Sequence, residues 1–228
     1  MYFVGRFRET RFIINTLRRG EHVVIAGRFG MGRTSLVRHV SRVATNAFRF
    51  VFVDFSSPPA DICRQLLMEM FPHYAAMHNP TSIPYKHAIF HLFSQPLEDP
   101  RPHVLVLDNI ERLSRQKLIF LRRLASEKRF TIIAIIATSL PEHQYQQVRV
   151  ALLNMRRLSL GHLDKKSTRE YFTYCSSCYG FNWTDDRIKS LCIRTQGYPL
   201  SMKEIVDNER RALQLMPMKE DNRADMRH

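Results

Sequence analysis

Nine residues, Gly27 to Ser35, read GRFGMGRTS. Gly27, Gly32 and Thr34 fall where the phosphate-cradling pattern G-x-x-x-x-G-K-[ST] places its two glycines and its hydroxyl. The seventh place, Lys in that pattern, is Arg33. The chemistry of such a loop is anion capture. Backbone N–H groups at the start of a helix point at a phosphate, and glycine lets it come close. Thr34 offers a hydroxyl to Mg²⁺. Arg33 keeps the positive charge but replaces a compact ammonium with a planar fork. A second stretch, HVLVLDN, ends an apolar run in Asp108. An acid at that point holds Mg²⁺ opposite the loop threonine. Loop, strand and acid in this order are far more specific than either alone, and a nucleotide with Mg²⁺ is the expected ligand.

The elements that must position these groups read as an alternation of strands and helices. HVVIAG (22–27), RFVFVDF (49–55), HVLVLDN (103–109) and FTIIAIIATS (130–139) are nearly continuous apolar runs, and RRLSLG (156–161) is a fifth strand. Such runs belong to strands buried on both faces, as in a parallel sheet covered by helices. TSLVRHVSRVA, DICRQLLMEMF and SRQKLIFLRRLASE follow the first three strands at helical spacing. The prediction is an α/β fold of three layers. Residues 72–102 hold six of the eleven prolines. They read as a surface insertion with one short helix, YKHAIFHLF. From about residue 162 the pattern turns all-helical. The first of three helices is expected to start near Ser167, with Glu170 at a capping-box spacing.

Charge is the strongest compositional signal. The 228 residues carry a net charge of +14, with 27 Arg and 8 Lys. Residues 1–50 hold ten Arg against two Glu, and residues 101–160 hold eleven basic against four acidic residues. Clustered Arg favours nucleic acid, and a polyanion partner, nucleic acid or acidic lipid, is expected. No run approaches the ~18 apolar residues of a membrane span. The N-terminal MYFVGRFRET lacks the apolar core of a secretory signal, and four cysteines do not suggest a disulfide framework. A cytoplasmic or nucleoid-associated protein is expected.

Several separate stretches resemble the AAA+ and STAND-type P-loop ATPases, close to the initiator-type members. FVGRFRE (3–9) is similar to the family's entry box near the adenine, GRFGMGRT to Walker A except at Arg33, and VLVLDN to Walker B. IIAIIATS resembles the sensor 1 strand, with Thr138 and Ser139 as its polar pair. LSLGHLDKKSTREYF and TQGYPLSMKEI resemble the passage into the helical lid and its G-x-P stretch at Gly197 and Pro199. The resemblance implies a five-stranded parallel sheet ordered 5-1-4-3-2. It implies a nucleotide-binding domain over 1–161, a helical lid over 162–215 and a flexible tail over 216–228. It assigns nucleotide contacts to Val4, Gly5, Gly27, Gly30, Met31, Gly32, Arg33, Thr34, Ser35 and Pro199, and Mg²⁺ to Thr34 and Asp108.

The departures from the family pattern bear on turnover. Members that hydrolyse ATP usually carry Glu after the Walker B Asp, and here that place is Asn109. An amide can position water but cannot accept its proton. Glu111 is the substitute to weigh, against the plainer reading that it opens the next helix. Catalytic candidates are therefore Asn109, Glu111 and Thr138. Lys203 sits near the sensor 2 position, and Leu140 stands where STAND proteins often show Arg. Arg149, Arg156 and Arg157 are candidates to act on a neighbour's nucleotide.

Two other patterns are set aside. CSSC (Cys175, Cys178) lacks a second ligand pair for zinc and reads as two packed thiols. His87 and His91 lack the Glu of a metalloprotease helix. The expected function is a nucleotide-controlled, DNA-associated, oligomeric AAA+ module with weak ATP hydrolysis. A STAND-type ATP/ADP switch or a pseudo-ATPase scaffold is the alternative.

Overall fold

The computed structural model describes residues 2–79 and 82–215. The predicted tail, 216–228, lies outside the described residues. The chain forms two compact units, Arg6–Gly161 and the described part of Met1–Gly5 with His162–His228.

In the first unit the strands are β1 (His22–Gly27), β2 (Arg49–Asp54), β3 (His103–Ile110), β4 (Phe130–Ala137) and β5 (Met155–Leu160). They form one sheet in the order β2-β3-β4-β1-β5, the predicted order. Every pairing is parallel. The apolar runs explain the placement. Strands β1, β3 and β4 occupy the centre and are buried along almost their whole length. The edge strand β5 buries only Leu160 and exposes Arg156, Arg157 and Ser159.

Helices cover both faces. α1 (Phe7–Arg18) and α2 (Arg33–Val43) pack on β1. On the other face, α3 (Pro59–Met70) and α6 (Arg115–Ser126) bury Ile62, Leu66 and Leu67, and Leu118, Leu121 and Leu124. α7 (Glu142–Ala151) precedes β5. The insertion departs from its prediction as a surface segment. It forms α4 (Pro72–Met77) and α5 (Tyr85–Ser94), and α5 packs on α3. Ala88 and Leu92 stand one helical turn apart and, with Ile83, are buried in the main core. The prolines punctuate the insertion without keeping it out of the main core.

The second unit holds α8 (Lys165–Tyr179), α9 (Asp185–Thr195) and α10 (Pro199–Leu215). Phe172, Cys175, Ile188, Leu191, Met202 and Val206 form its core, flanked by Phe181 and Trp183. Of the aromatic side chains on α8, Phe172 lies in this core and Tyr171 packs against it, while Tyr174 and Tyr179 are exposed. The predicted capping box is corrected. Asp164, not Ser167, caps α8, accepting from the Ser167 N–H at 2.7 Å. Ser167 is buried inside the helix, and Glu170 accepts a hydrogen bond from the Tyr2 hydroxyl. An Asp in front of the Lys pair is the better cap because its carboxylate also faces the positive helix end. The CSSC reading is corrected in part: Cys175 is buried, its thiol pushed up to about 11 by burial, while Cys178 is exposed. Of the two histidines, His91 packs edge-on to Phe71 at 4.9 Å, whereas His87 is exposed.

Candidate nucleotide site

The buried strand β1 delivers the chain to Gly27, and α2 begins at Arg33, one residue earlier than the sequence suggests. Between them the backbone turns sharply. Gly30 and Gly32 take φ of +77° and +79°, the left-handed region that favours glycine. Gly32 caps α2 and its carbonyl accepts from the Leu36 N–H at 2.9 Å. Gly27 lies tight against β5, where a Cβ would come within 3.3 Å of the Leu160 carbonyl oxygen. Met31 is buried, Thr34 half-buried and Ser35 exposed. The loop therefore presents the free N–H end of an eleven-residue helix beside a narrow backbone turn.

Thr34 and Asp108 meet. The Thr34 hydroxyl donates to Asp108 Oδ2 at 2.8 Å, across 74 residues of sequence. Thr34 lies in the first turn of α2, just after β1, and Asp108 near the end of β3, with β4 between the two strands. A hydroxyl and a carboxylate this close offer oxygen ligands of the kind Mg²⁺ takes.

Arg33 does something the sequence does not announce. Its guanidinium donates to the Ile136 carbonyl near the end of β4. Burial pulls its pKa down, opposed by the charges of Asp108 and Glu111. The fork thus ties the loop to the central strand, and part of its hydrogen-bonding capacity is committed to backbone.

Beyond Asp108 the chain leaves the ladder. The β3–β4 register shifts between Leu107 and Ile110, and Asn109 has φ +60°, a conformation uncommon for a non-glycine residue. The Asn109 N–H donates to Asp108 Oδ1 at 2.9 Å, and its side-chain amide donates to Asp54 Oδ1 at 3.2 Å. Asp54 ends β2 in register with Asp108. Burial pushes the Asp54 carboxyl up, but the Ser56 N–H and hydroxyl, the Asn109 amide and nearby Lys117 together hold it below its ordinary value. Lys117 in turn donates to the carbonyls of Phe55 and Ser56 at 2.8 and 2.7 Å. Asp54 and Lys117 were missed by the sequence reading. The available signal was that RFVFVD and VLVLD both end in Asp, which parallel pairing brings side by side.

The remaining predicted residues are placed as follows. Glu111 is exposed in the loop before α6; its N–H donates to the Asn109 carbonyl at 3.0 Å, and it does not open the helix. Thr138 and Ser139 are exposed in the turn after β4, since that strand ends at Ala137. Arg149 is exposed on α7. Arg156 pairs with Glu21 at 3.3 Å, and the Arg157 guanidinium lies 4.8 Å from the Tyr145 ring centroid. In the second unit Val4 and Gly5 are buried, Pro199 opens α10, and Lys203 approaches Asp207 at 4.0 Å. Among the described residues no group of three or more His, Cys, Asp or Glu could hold a metal, and no helix is long and apolar enough to cross a membrane.

Solved structures share this architecture. Orc1 of Aeropyrum pernix, in complex with DNA, matches at TM-score 0.59 and 14% identity over 93% of this chain and 66% of its own. Cdc6p of Pyrobaculum aerophilum matches at TM-score 0.61 and 14% identity over 92% of this chain and 62% of its own. The replication initiator DnaA, bound to AMPPCP and single-stranded DNA, matches at TM-score 0.57 and 14% identity over 94% of this chain and 63% of its own. The chain thus spans just under two thirds of the length of these structures. A search of curated proteins by sequence found no match. A family model described as an AAA domain matches residues 17–143, which hold the loop, Asp108 and the sensor-like turn. That match covers more than half of the sequence, and the chain belongs to the AAA domain family.

Proposed function

We propose that the chain binds ATP or ADP with Mg²⁺ at Gly27–Ser35 and hydrolyses ATP slowly. We propose further that the nucleotide controls oligomer assembly and association with the DNA backbone. The observation that carries the first part is the 2.8 Å contact between Thr34 and Asp108 at the end of a glycine-turned loop. These residues fit the expected group. Gly30 and Gly32 shape the turn, the N–H groups opening α2 bind phosphate oxygens, and Thr34 and Asp108 hold the metal. A bound Mg²⁺ neutralises charge that builds on the phosphate oxygens.

The residues around it are arranged for holding more than for turnover. The Asn109 amide is engaged by Asp54, and it carries no carboxylate to take a proton from water. The same observation favours the second reading, a pseudo-ATPase scaffold, if hydrolysis is absent altogether. The DNA-bound states of the Orc1 and DnaA structures and the net charge of +14 support a polyanion partner. Exposed Arg149 and Arg156 support contact with a neighbour's nucleotide. The test is nucleotide-dependent DNA binding at two salt concentrations. Backbone contacts predict a steep fall in affinity with salt. Tight DNA binding that ignores nucleotide would overturn the control, and no DNA binding at low salt would leave the switch or the scaffold.

A further inference from the structure

The insertion helix α5 and the neighbouring α6 carry charge of one sign and unburied aromatic rings. From Tyr85 to Ser94 there is no acidic residue, and Lys86 is exposed; from Arg115 to Ser126 there are Arg115, Lys117, Arg122 and Arg123 and again no acid. Phe90 is 66% exposed and Tyr85 37% exposed. Lys86, Phe90 and Phe93 stand at i, i+4 and i+7, one face of α5. The Arg123 guanidinium lies 4.5 Å from the Phe93 ring centroid, which joins the two helices at this face. Arg129 anchors the end of α5, donating to the Phe93 carbonyl at 2.8 Å. Below, Ala88 and Leu92 are fixed in the core. The helix therefore carries the open Phe90 ring on the same face as Phe93, whose ring lies under the Arg123 guanidinium.

We infer that this face, formed by Lys86, Phe90, Phe93 and Arg123, is a docking surface for single-stranded DNA. Phosphates would meet Lys86, Arg122 and Arg123, and a base would stack on Phe90. A duplex-binding surface needs only the charges, because the faces of paired bases are hidden within the stack. An exposed ring gains from unpaired bases, each of which offers a π-face whatever its sequence. The absence of acids from both helices suits the phosphate chain and disfavours a cationic partner. This inference rests on the DNA association proposed above and assigns it a place and a strandedness.

The test is fluorescence anisotropy of wild type and variants with labelled oligo-thymidine and with a duplex of equal length, each with MgATP. Phe90→Ala removes an exposed ring and no charge, so folding and nucleotide binding should persist. The surface predicts about a tenfold loss or more for the single strand, from the usual worth of one base–aromatic stack, with the salt slope and the duplex affinity unchanged. Arg123→Gln should weaken single-strand binding and lower the salt slope by about one counterion. Two results would overturn the inference while leaving DNA association standing. One is wild-type single-strand binding that Phe90→Ala and Arg123→Gln both leave intact. The other is equal loss on both substrates. Absence of any DNA binding by wild type would overturn the DNA reading itself, and the exposed face would then belong to a protein partner.

Discussion

The loop Gly27–Ser35 and the bulge Asp108–Glu111 lie at the same end of the sheet but are built from different material. The loop works through backbone. In the proposed site the grip would come from N–H groups and glycine dihedrals, so Arg33 in place of the pattern's Lys alters one side chain and leaves the backbone part intact. The bulge works through side chains. Asp108 is in place, yet the next position offers an amide held by Asp54 where a proton acceptor is needed. Binding built on main chain tolerates substitution, whereas turnover built on one placed carboxylate does not.

The largest expected effect would come from repairing the weaker region. Arg33→Lys with Asn109→Glu should raise steady-state phosphate release at saturating MgATP by about 10²-fold or more, the usual worth of a placed base. A wild type already as fast as the double variant would assign the base to another residue, with Glu111 first in line. Next, Asp108→Ala should weaken MgATP binding by about 10- to 100-fold, because it removes a metal ligand and strands the Thr34 hydroxyl and the Asn109 N–H. Calorimetry with and without Mg²⁺ reads this, and an unchanged Mg²⁺ dependence would break the assignment of the ion to this pair.

Arg33→Lys alone should cost about 1 kcal/mol of folding stability, through the lost tie to the Ile136 carbonyl. Nucleotide affinity should barely move. Denaturant midpoints and titration on the same protein separate the two.

The smallest effect concerns the far end of the same strands. The Ile132 N–H donates to His22 Nδ1 at 3.0 Å, so the native ring is neutral there, and burial holds its pKa below the ordinary 6.5. A depressed histidine leaves stability intact above its unfolded pKa and subtracts it as pH falls through the folded value. Melting temperature should therefore drop below about pH 6.5, and less so in His22→Gln. Identical acid sensitivity in the variant would place the titration at another buried ring, such as His103.

Much of this comparison could be read from residue order. The four apolar runs announced β1 to β4; three of these strands are covered on both faces, whereas β2, at the sheet edge, buries only Val51 and Val53. The meeting of Thr34 with Asp108 was expected from two motif halves read as ligands of one ion. What stayed hidden depends on contacts remote in sequence. Nothing local to Arg33 says that its fork reaches β4, 103 residues away. Nothing local to Asn109 says that Asp54 will engage it, although both strands end in Asp. The insertion misled because prolines are loop signals, while the burial of Ala88 and Leu92 is decided by α3. The cap of α8 was misplaced by three residues because Ser167 and Glu170 have the right spacing, and only the buried environment of Ser167 decides for Asp164.

The central claim, a site that holds MgATP and scarcely turns it over, is tested most directly by mixing labelled MgATP with excess protein. The protein-bound nucleotide is then separated at successive times and resolved into ATP and ADP. The wild type should bind the label promptly and keep it as ATP, while Arg33→Lys with Asn109→Glu converts it to ADP. Failure of the wild type to retain any nucleotide, or ADP appearing as fast as binding, would contradict the account.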